Sequence, residues 1–245
     1  MHFLPVDLGA RLTGMTTTLI TGANKGLGLE TARRLVAAGH TVFLGARDPQ
    51  RGQQAAERIG ARPLRIDVTS EESVRAAADV VREEAGLLDV LVNNAGISGG
   101  SKPVGEVTAT ELETVYATNV FGMVRVTRAF LPLLSVSAHP VVVNVSSGLG
   151  SLARVSDPQR FESAWPVLTY ASSKSAVNML TVQYAKAFPE IRVNAVDPGY
   201  TATDLNGHRG TQTVEDGAEI IVRMATIGAD GPTGGYFAAD GPVPW

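Results

Sequence analysis

The 245-residue chain has no cysteine. That removes disulfides, thiolate nucleophiles and cysteine-ligated zinc or iron–sulfur centres. Histidine is scarce: His2, His40, His139 and His208 are scattered without metal-ligand spacing, so no metal site is expected. Neither charge sign is in large excess. Lys and Arg number 21 against 24 Asp and Glu, a net charge of −3, and the chain shows no basic cluster suited to nucleic acid or an anionic membrane. No apolar run approaches the ~20 residues of a membrane span. Met1–Gly14 lacks the basic start of a secretory signal and stands ahead of the first strand-like run. It reads as an N-terminal extension, with the fold beginning at Met15, and the whole as a cytoplasmic protein.

Against these absences, 44% of the residues are hydrophobic, ample for a sizeable core, while only 18% are charged, as buried parallel strands require. Strand-like runs at Thr17–Ile20, Thr41–Leu44, Pro63–Ile66, Asp89–Val92, Pro140–Val145 and Ile191–Val196 alternate with helical patterns. A further short strand is expected at Gly235–Phe237. The helices include a long one from about Thr108 to Leu131, another from Leu168 to Phe188 and a last one near Val214–Thr226. Alternation of this kind predicts right-handed crossovers and an α/β fold, a Rossmann-type doubly wound parallel sheet of about seven strands with helices on both faces, in one domain over 15–245. Ligands on such sheets bind beyond the carboxyl ends of the strands, so the residues following each strand carry the chemistry.

After the first strand comes Thr21-Gly22-Ala23-Asn24-Lys25-Gly26-Leu27-Gly28. Glycines at a strand-to-helix turn let backbone N–H groups approach a pyrophosphate at a helix start, where the dipole favours anions. The spacing, Gly-x-x-x-Gly-x-Gly, resembles that of the short-chain dehydrogenase/reductase family. The resemblance runs from about Met15 to the C-terminus and implies a nicotinamide cofactor. The end of the second strand distinguishes the two cofactors: an acid accepts from the ribose hydroxyl of NAD, whereas cations receive the 2′-phosphate of NADP. Here Ala46 stands where the acid is expected and Arg47 follows, with Lys25 and Arg51 able to add charge. NADP(H) is the cofactor expected, and Asp48 is read as a helix cap. Further matches to the family's cofactor site are Asp67-Val68, for adenine, and Asn93-Asn94-Ala95-Gly96, in which Asn94, Ala95 and Gly96 line the ribose and Asn93 is structural. Pro198-Gly199-Tyr200-Thr201-Ala202-Thr203 resembles the segment that receives the nicotinamide amide, giving contacts to Pro198, Gly199, Thr201 and Thr203.

Tyr170-Ala171-Ser172-Ser173-Lys174 is the decisive motif. Residues i and i+4 share a helix face, so phenol and ammonium meet, and a nearby cation is expected to lower a tyrosine pKa from ~10 toward useful acid–base range. The resemblance makes Tyr170 and Lys174 catalytic and cofactor-binding. It gives Ser147, in Ser146-Ser147, the substrate carbonyl, and gives Asn119 a water connecting Lys174 to solvent. A buried Asn satisfying a helix kink is the alternative for Asn119. The implied activity is NADPH-dependent reduction of a ketone, aldehyde or quinone to an alcohol, with a small-molecule substrate; the alternative is an NADP(H)-binding redox sensor without turnover. From Ser147 to Tyr170 are 23 positions, more than in most members. A comparable, longer insertion occurs in monomeric carbonyl reductases, which share the Asn-Lys-Gly loop and the Ala-Arg-Asp ending of strand two; monomer and homo-oligomer both stay open. Phe161 and Trp165 in the inserted segment are expected either to wall the substrate pocket or to pack the insertion onto the domain, with Tyr200 and Leu205 opposite.

Overall fold

The computed structural model describes residues 15–245; the N-terminal extension lies outside the described residues. In chain order the elements are β1 (Thr17–Ile20), α1 (Gly26–Ala37), β2 (Thr41–Ala46), α2 (Pro49–Ile59), β3 (Arg62–Arg65), α3 (Glu71–Ala85) and β4 (Val90–Asn93). Then follow α4 (Ala109–Tyr116), a π-helical turn (Ala117–Gly122), α5 (Met123–Leu134), β5 (Val141–Val145), α6 (Leu152–Val155) and α7 (Leu168–Ala187). β6 (Arg192–Val196), α8 (Val214–Ala225), β7 (Tyr236–Ala238) and β8 (Gly241–Pro242) complete the chain.

Local chemistry sets these boundaries. Asp48 caps α2 by accepting from the N–H groups of Gln50 and Arg51, with Pro49 at the first helical position, and Ser70 caps α3 through Ser73 N–H. Gly60 and Gly86 end the same two helices in left-handed conformations that only glycine adopts without strain.

The strands form one sheet in the order β3-β2-β1-β4-β5-β6-β7-β8, parallel throughout except for β7–β8. The direction of winding reverses between β1 and β4, which places the ligand cleft at their carboxyl ends. Side-chain alternation sends Leu19 into one apolar layer with Phe43, Phe130 and Ile191, and Ile20 into the other with Leu35, Leu44 and Ile221. The sheet has eight strands rather than about seven. Two-residue β8 is too short to show a period-2 pattern, and it forms because the chain turns at Ala239-Asp240 and pairs back on β7. The expected single helix over Thr108–Leu131 is α4 and α5 separated by the π turn.

Among the described residues no helix is long and apolar enough to cross a membrane, and no cluster of three or more His, Asp or Glu is placed to hold a metal.

Candidate active site

The glycine-rich turn is built for close backbone approach. Gly22 and Gly26 have φ of +64° and +55°, and a Cβ on Gly28 would lie 2.5 Å from Asn94 Nδ2. Asn94 is occupied with that turn, donating to the carbonyls of Thr21 (2.8 Å) and Gly22 (3.1 Å), while a Cβ on Gly22 would touch Ala95 at 3.0 Å. The turn and the β4 loop are therefore one unit. Helix α1 begins at Gly26 with Lys25 at its cap position and no side-chain cap, so its first N–H groups face the cleft rim without a side-chain acceptor. That is a cradle suited to a pyrophosphate. Asn24 is half-buried beside it. Leu27 is directed elsewhere, onto α8 at Gly217. Lys25 Nζ pairs with Asp204 at 2.6 Å, and Asp204 also accepts from His208 Nε2 at 2.8 Å.

At the end of β2, Arg47 is exposed, and its charge reaches Asp67. Burial pushes the Asp67 carboxyl up, but hydrogen bonds from Thr69 N–H and Oγ1 and the charges of Arg47 and Arg125 hold it below its ordinary value. Val68 is buried against Gly122 of the π turn.

Helix α7 is clamped to β5 by a polar stripe. Lys174 Nζ donates to the Val145 carbonyl at 2.7 Å, Asn178 Oδ1 accepts from Ser146 Oγ at 2.6 Å, and Thr181 Oγ1 accepts from Asn144 Nδ2 at 2.9 Å. Asn144 in turn accepts from Asn93 Nδ2 at 2.8 Å, so Asn93 is a buried brace between the central strands. Tyr170, one turn ahead of Lys174, carries its ring 5.5 Å from the Lys174 ammonium, and its phenol meets the Ser147 hydroxyl. The adjacent serines have divided roles. Ser146 is buried on Asn178, whereas Ser147 is half-buried and faces Tyr170.

The electrostatics differ from expectation. Burial pushes the Tyr170 phenol up to about 12; the Ser147 hydroxyl pulls it down and the Asp197 charge pushes it further up. Burial also holds the Lys174 ammonium down, at about 8, while it donates to the Val145 carbonyl.

Asn119 lies in the π turn, not in regular helix. Its Oδ1 accepts from Ile97 N–H, and its Nδ2 donates to the Ile97 carbonyl and to Ser173 Oγ at 3.0 Å. It thus ties the β4 loop to α7, with one Oδ1 lone pair to spare. A cavity of about 10 Å³, room for about one water, is lined by both Asn119 and Lys174. Gly96 completes the cluster, since a Cβ there would lie 3.4 Å from Asn119 Oδ1 and 3.7 Å from Lys174 Nζ.

Beyond β6, Asp197 Oδ1 accepts from Gly199 N–H (3.0 Å), and Pro198 and Gly199 follow with φ of +74° at the glycine. Thr203 packs on Gly26 of the phosphate turn. Thr201 is not presented to the cleft by its hydroxyl: it is buried and bonded to the Pro198 carbonyl and Gln212 Nε2. The inserted segment folds as α6 and a 3₁₀ turn (Phe161–Ala164). Phe161, Trp165 and Tyr200 form a ring cluster, with centroids 5.7, 5.7 and 6.3 Å apart. Phe161 and Trp165 nevertheless keep 55% and 42% of their surface exposed. The sequence gives little sign of three polar groups that meet beside Gly148: Arg154 pairs with both Glu162 and Asp197. Their only signal was an acid directly following the apolar β6 and an arginine opening the insertion.

Fold and cleft together define a nucleotide-binding α/β protein of the doubly wound class. A sequence profile described as short chain dehydrogenase matches residues 16–213, and the chain belongs to that family of nicotinamide-dependent oxidoreductases. It is 39% identical to "Short-chain dehydrogenase anuI" of Penicillium roqueforti over 227 residues, 86% of this chain and 88% of that protein. It is 34% identical to a (+)-neomenthol dehydrogenase of Arabidopsis thaliana, covering 90% of this chain and 95% of the relative. Among solved structures, NADPH-bound carbonyl reductase from chicken fatty liver superposes with a TM-score of 0.84 at 28% identity, over 94% of this chain and 99% of the other.

Proposed function

We propose that the protein is an NADPH-dependent reductase of carbonyl compounds, with Tyr170 as the acid–base residue. The observation that carries this reading is the convergence of Tyr170, Ser147 and Lys174 at the carboxyl end of β5, in the sheet whose winding reverses between β1 and β4. Likeness to proteins named for neomenthol dehydrogenation and carbonyl reduction supports it.

NADPH, when bound, supplies the hydride. Gly22, Asn24, Gly26, Leu27 and Gly28 would offer backbone to its pyrophosphate, and Arg47 would hold the 2′-phosphate. Lys25 contributes only if it exchanges Asp204 for phosphate. Asp67 and Val68 border the adenine; Asn94, Ala95 and Gly96 border the ribose; Pro198, Gly199, Thr201 and Thr203 hold the amide end, Thr201 by backbone rather than hydroxyl. Ser147 and Tyr170 then hydrogen-bond the substrate oxygen, and Tyr170 donates its proton as charge develops there. Lys174, which donates to the Val145 carbonyl, would hold the ribose of the bound cofactor, and with Asn119 it lines a cavity through which a replacement proton would reach Tyr170. The half-exposed Phe161–Trp165–Tyr200 cluster offers an apolar wall, which favours ring-bearing carbonyl substrates over small hydrophilic ones.

The test is NADPH consumption at the nicotinamide absorbance with a panel of aldehydes, ketones and quinones. Steady turnover on cyclic ketones or quinones is expected; tight NADPH binding without turnover on any of them would leave a sensor instead. Cofactor choice is tested separately. Arg47→Ala removes a charge-assisted bond worth about 1.5–3 kcal/mol, so the KM for NADPH is expected to rise about ten- to a hundredfold while that for NADH stays put. Equal losses for the two cofactors would mean that Arg47 does not contact the 2′-phosphate.

A further inference from the structure

Ser147 meets the substrate through one hydroxyl, and the aim of that hydroxyl is set by the backbone that carries it. Ser147 follows β5 in extended conformation and opens a 3₁₀ turn, Gly148–Gly150. Its Oγ accepts from Leu149 N–H at 3.3 Å, which leaves its proton for an acceptor in the cleft. The far end of the turn is anchored on α7, where the Gly150 carbonyl accepts from Ser175 Oγ at 3.0 Å and Asn178 Nδ2 at 3.1 Å.

The Ser147 carbonyl receives two bonds of unlike origin. Gly150 N–H donates to it at 2.7 Å from within the turn, and the Tyr236 hydroxyl donates at 2.6 Å from β7, 89 positions away. The first bond already satisfies the carbonyl, so the second is not needed to relieve a buried orphan. Tyr236 is 2% exposed and packs in a small apolar cluster with Ala195, Ala238 and Val243, where phenylalanine would fill the same space. The hydroxyl therefore serves something other than packing.

Behind the phenol, Trp245 stacks with ring centroids 5.4 Å apart and 20° between the planes. The run that follows β8 is tied in turn to the start of the inserted segment. Ser151 Oγ donates to the Pro244 carbonyl at 2.6 Å, and Ala153 N–H donates to the Trp245 main-chain oxygen at 3.0 Å. Contacts thus lead from Ser147 through Tyr236 and Trp245 to Ala153, and the chain closes them into a ring around the turn.

Resting on the assignment of Ser147 to the substrate oxygen, we propose that Tyr236 is a positioning residue for Ser147, braced by Trp245. The phenol holds the Ser147–Gly148 peptide at one tilt, and that tilt aims Oγ. Charge developing on the substrate oxygen is stabilised by a donor already in place, so even a small displacement of Oγ slows the reaction.

The experiment is a double-mutant cycle on carbonyl reduction with NADPH: wild type, Tyr236→Phe, Ser147→Ala and the double variant, on the best carbonyl of the panel. Tyr236→Phe is expected to lower kcat/KM for the carbonyl about tenfold, while the KM for NADPH stays within about twofold. In the Ser147→Ala background the same substitution is expected to lower it by less than about twofold, because no hydroxyl is left to aim. A merely structural Tyr236 gives the same loss in both backgrounds; that outcome, or an unchanged rate in Tyr236→Phe, overturns the proposal. Ser147→Ala turning over at the wild-type rate would instead remove Ser147 from the substrate oxygen, so the functional reading fails there and the positioning of Ser147 falls with it. Should Tyr236→Phe fail to fold, Trp245→Ala takes its place in the cycle. A loss seen only when Ser147 is present supports the proposal, and an equal loss in both backgrounds, or none, overturns it.

Discussion

Tyr170→Phe is expected to lower carbonyl reduction by roughly 10²–10⁴-fold, the range typical of losing a positioned general acid, with NADPH affinity nearly intact. The ring stays, so its packing beside Lys174 and the clamp of α7 on β5 are untouched. Only the hydroxyl that meets Ser147 is removed. The environment of that hydroxyl also sets a direction. A phenol pushed up to about 12 keeps its proton across the whole neutral range, so it stands ready as an acid, whereas service as a base requires an alkaline solution or added positive charge nearby. Reduction is therefore expected to run with little pH dependence near neutrality, while oxidation of the alcohol climbs with pH. Stopped-flow or steady-state absorbance measures both, and NADPH fluorescence gives the affinity. Substantial residual kcat in the variant would remove Tyr170 from the mechanism.

Lys174→Met is expected to abolish turnover and yet stabilise the protein. The ammonium is 4% exposed and held at about 8, below its ordinary 10.5, by burial. Keeping that proton at pH 7 costs the folded state at most ~3 kcal/mol, at about 1.36 kcal/mol per unit. Methionine fills similar space without the charge but loses the bond to the Val145 carbonyl, worth ~1 kcal/mol or more, so a net gain of about 1–2 kcal/mol is expected. The sign follows from proton binding. Below pH 8 both folded and unfolded chains hold the proton and the penalty on the wild type is fully present. Between 8 and 10.5 only the unfolded chain holds it, so wild-type stability rises toward that of the variant, and above 10.5 the penalty is gone. Thermal midpoints of the two proteins across this interval should converge. A variant less stable than wild type at pH 7 would contradict the assignment of Lys174 as a functional strain on the fold.

The order of elements was readable because buried parallel strands such as Val141–Val145 write continuous apolar runs, and because Gly, Pro and capping residues stand at the helix ends. Most site residues were readable because they follow strands, where the fold delivers them to one cleft. What escaped was set by distant partners. The partner of Lys25, Asp204, stands 179 positions away and leaves no local signal. The Thr201 hydroxyl looked like a ligand contact but satisfies Pro198 and Gln212 inside its own loop. The π turn around Asn119 has no pattern of its own, since its six residues are too few to display a period. Arg154 and Asp197 lie far apart in the chain, and only the folded insertion pairs Arg154 with both Asp197 and Glu162 away from water.

The stripe of Lys174, Asn178 and Thr181 has a consequence for how this chain tolerates change. The phenol is indexed by what comes after it: three polar bonds to β5 fix the rotation and height of α7, and Tyr170 rides one turn ahead of them. One residue added between Tyr170 and Thr181 would swing the ring about 100° off target, whereas residues added before Leu168 leave its placement alone. Length added on the amino-terminal side of the helix thus leaves the placement of the Tyr170 ring relative to β5 unchanged.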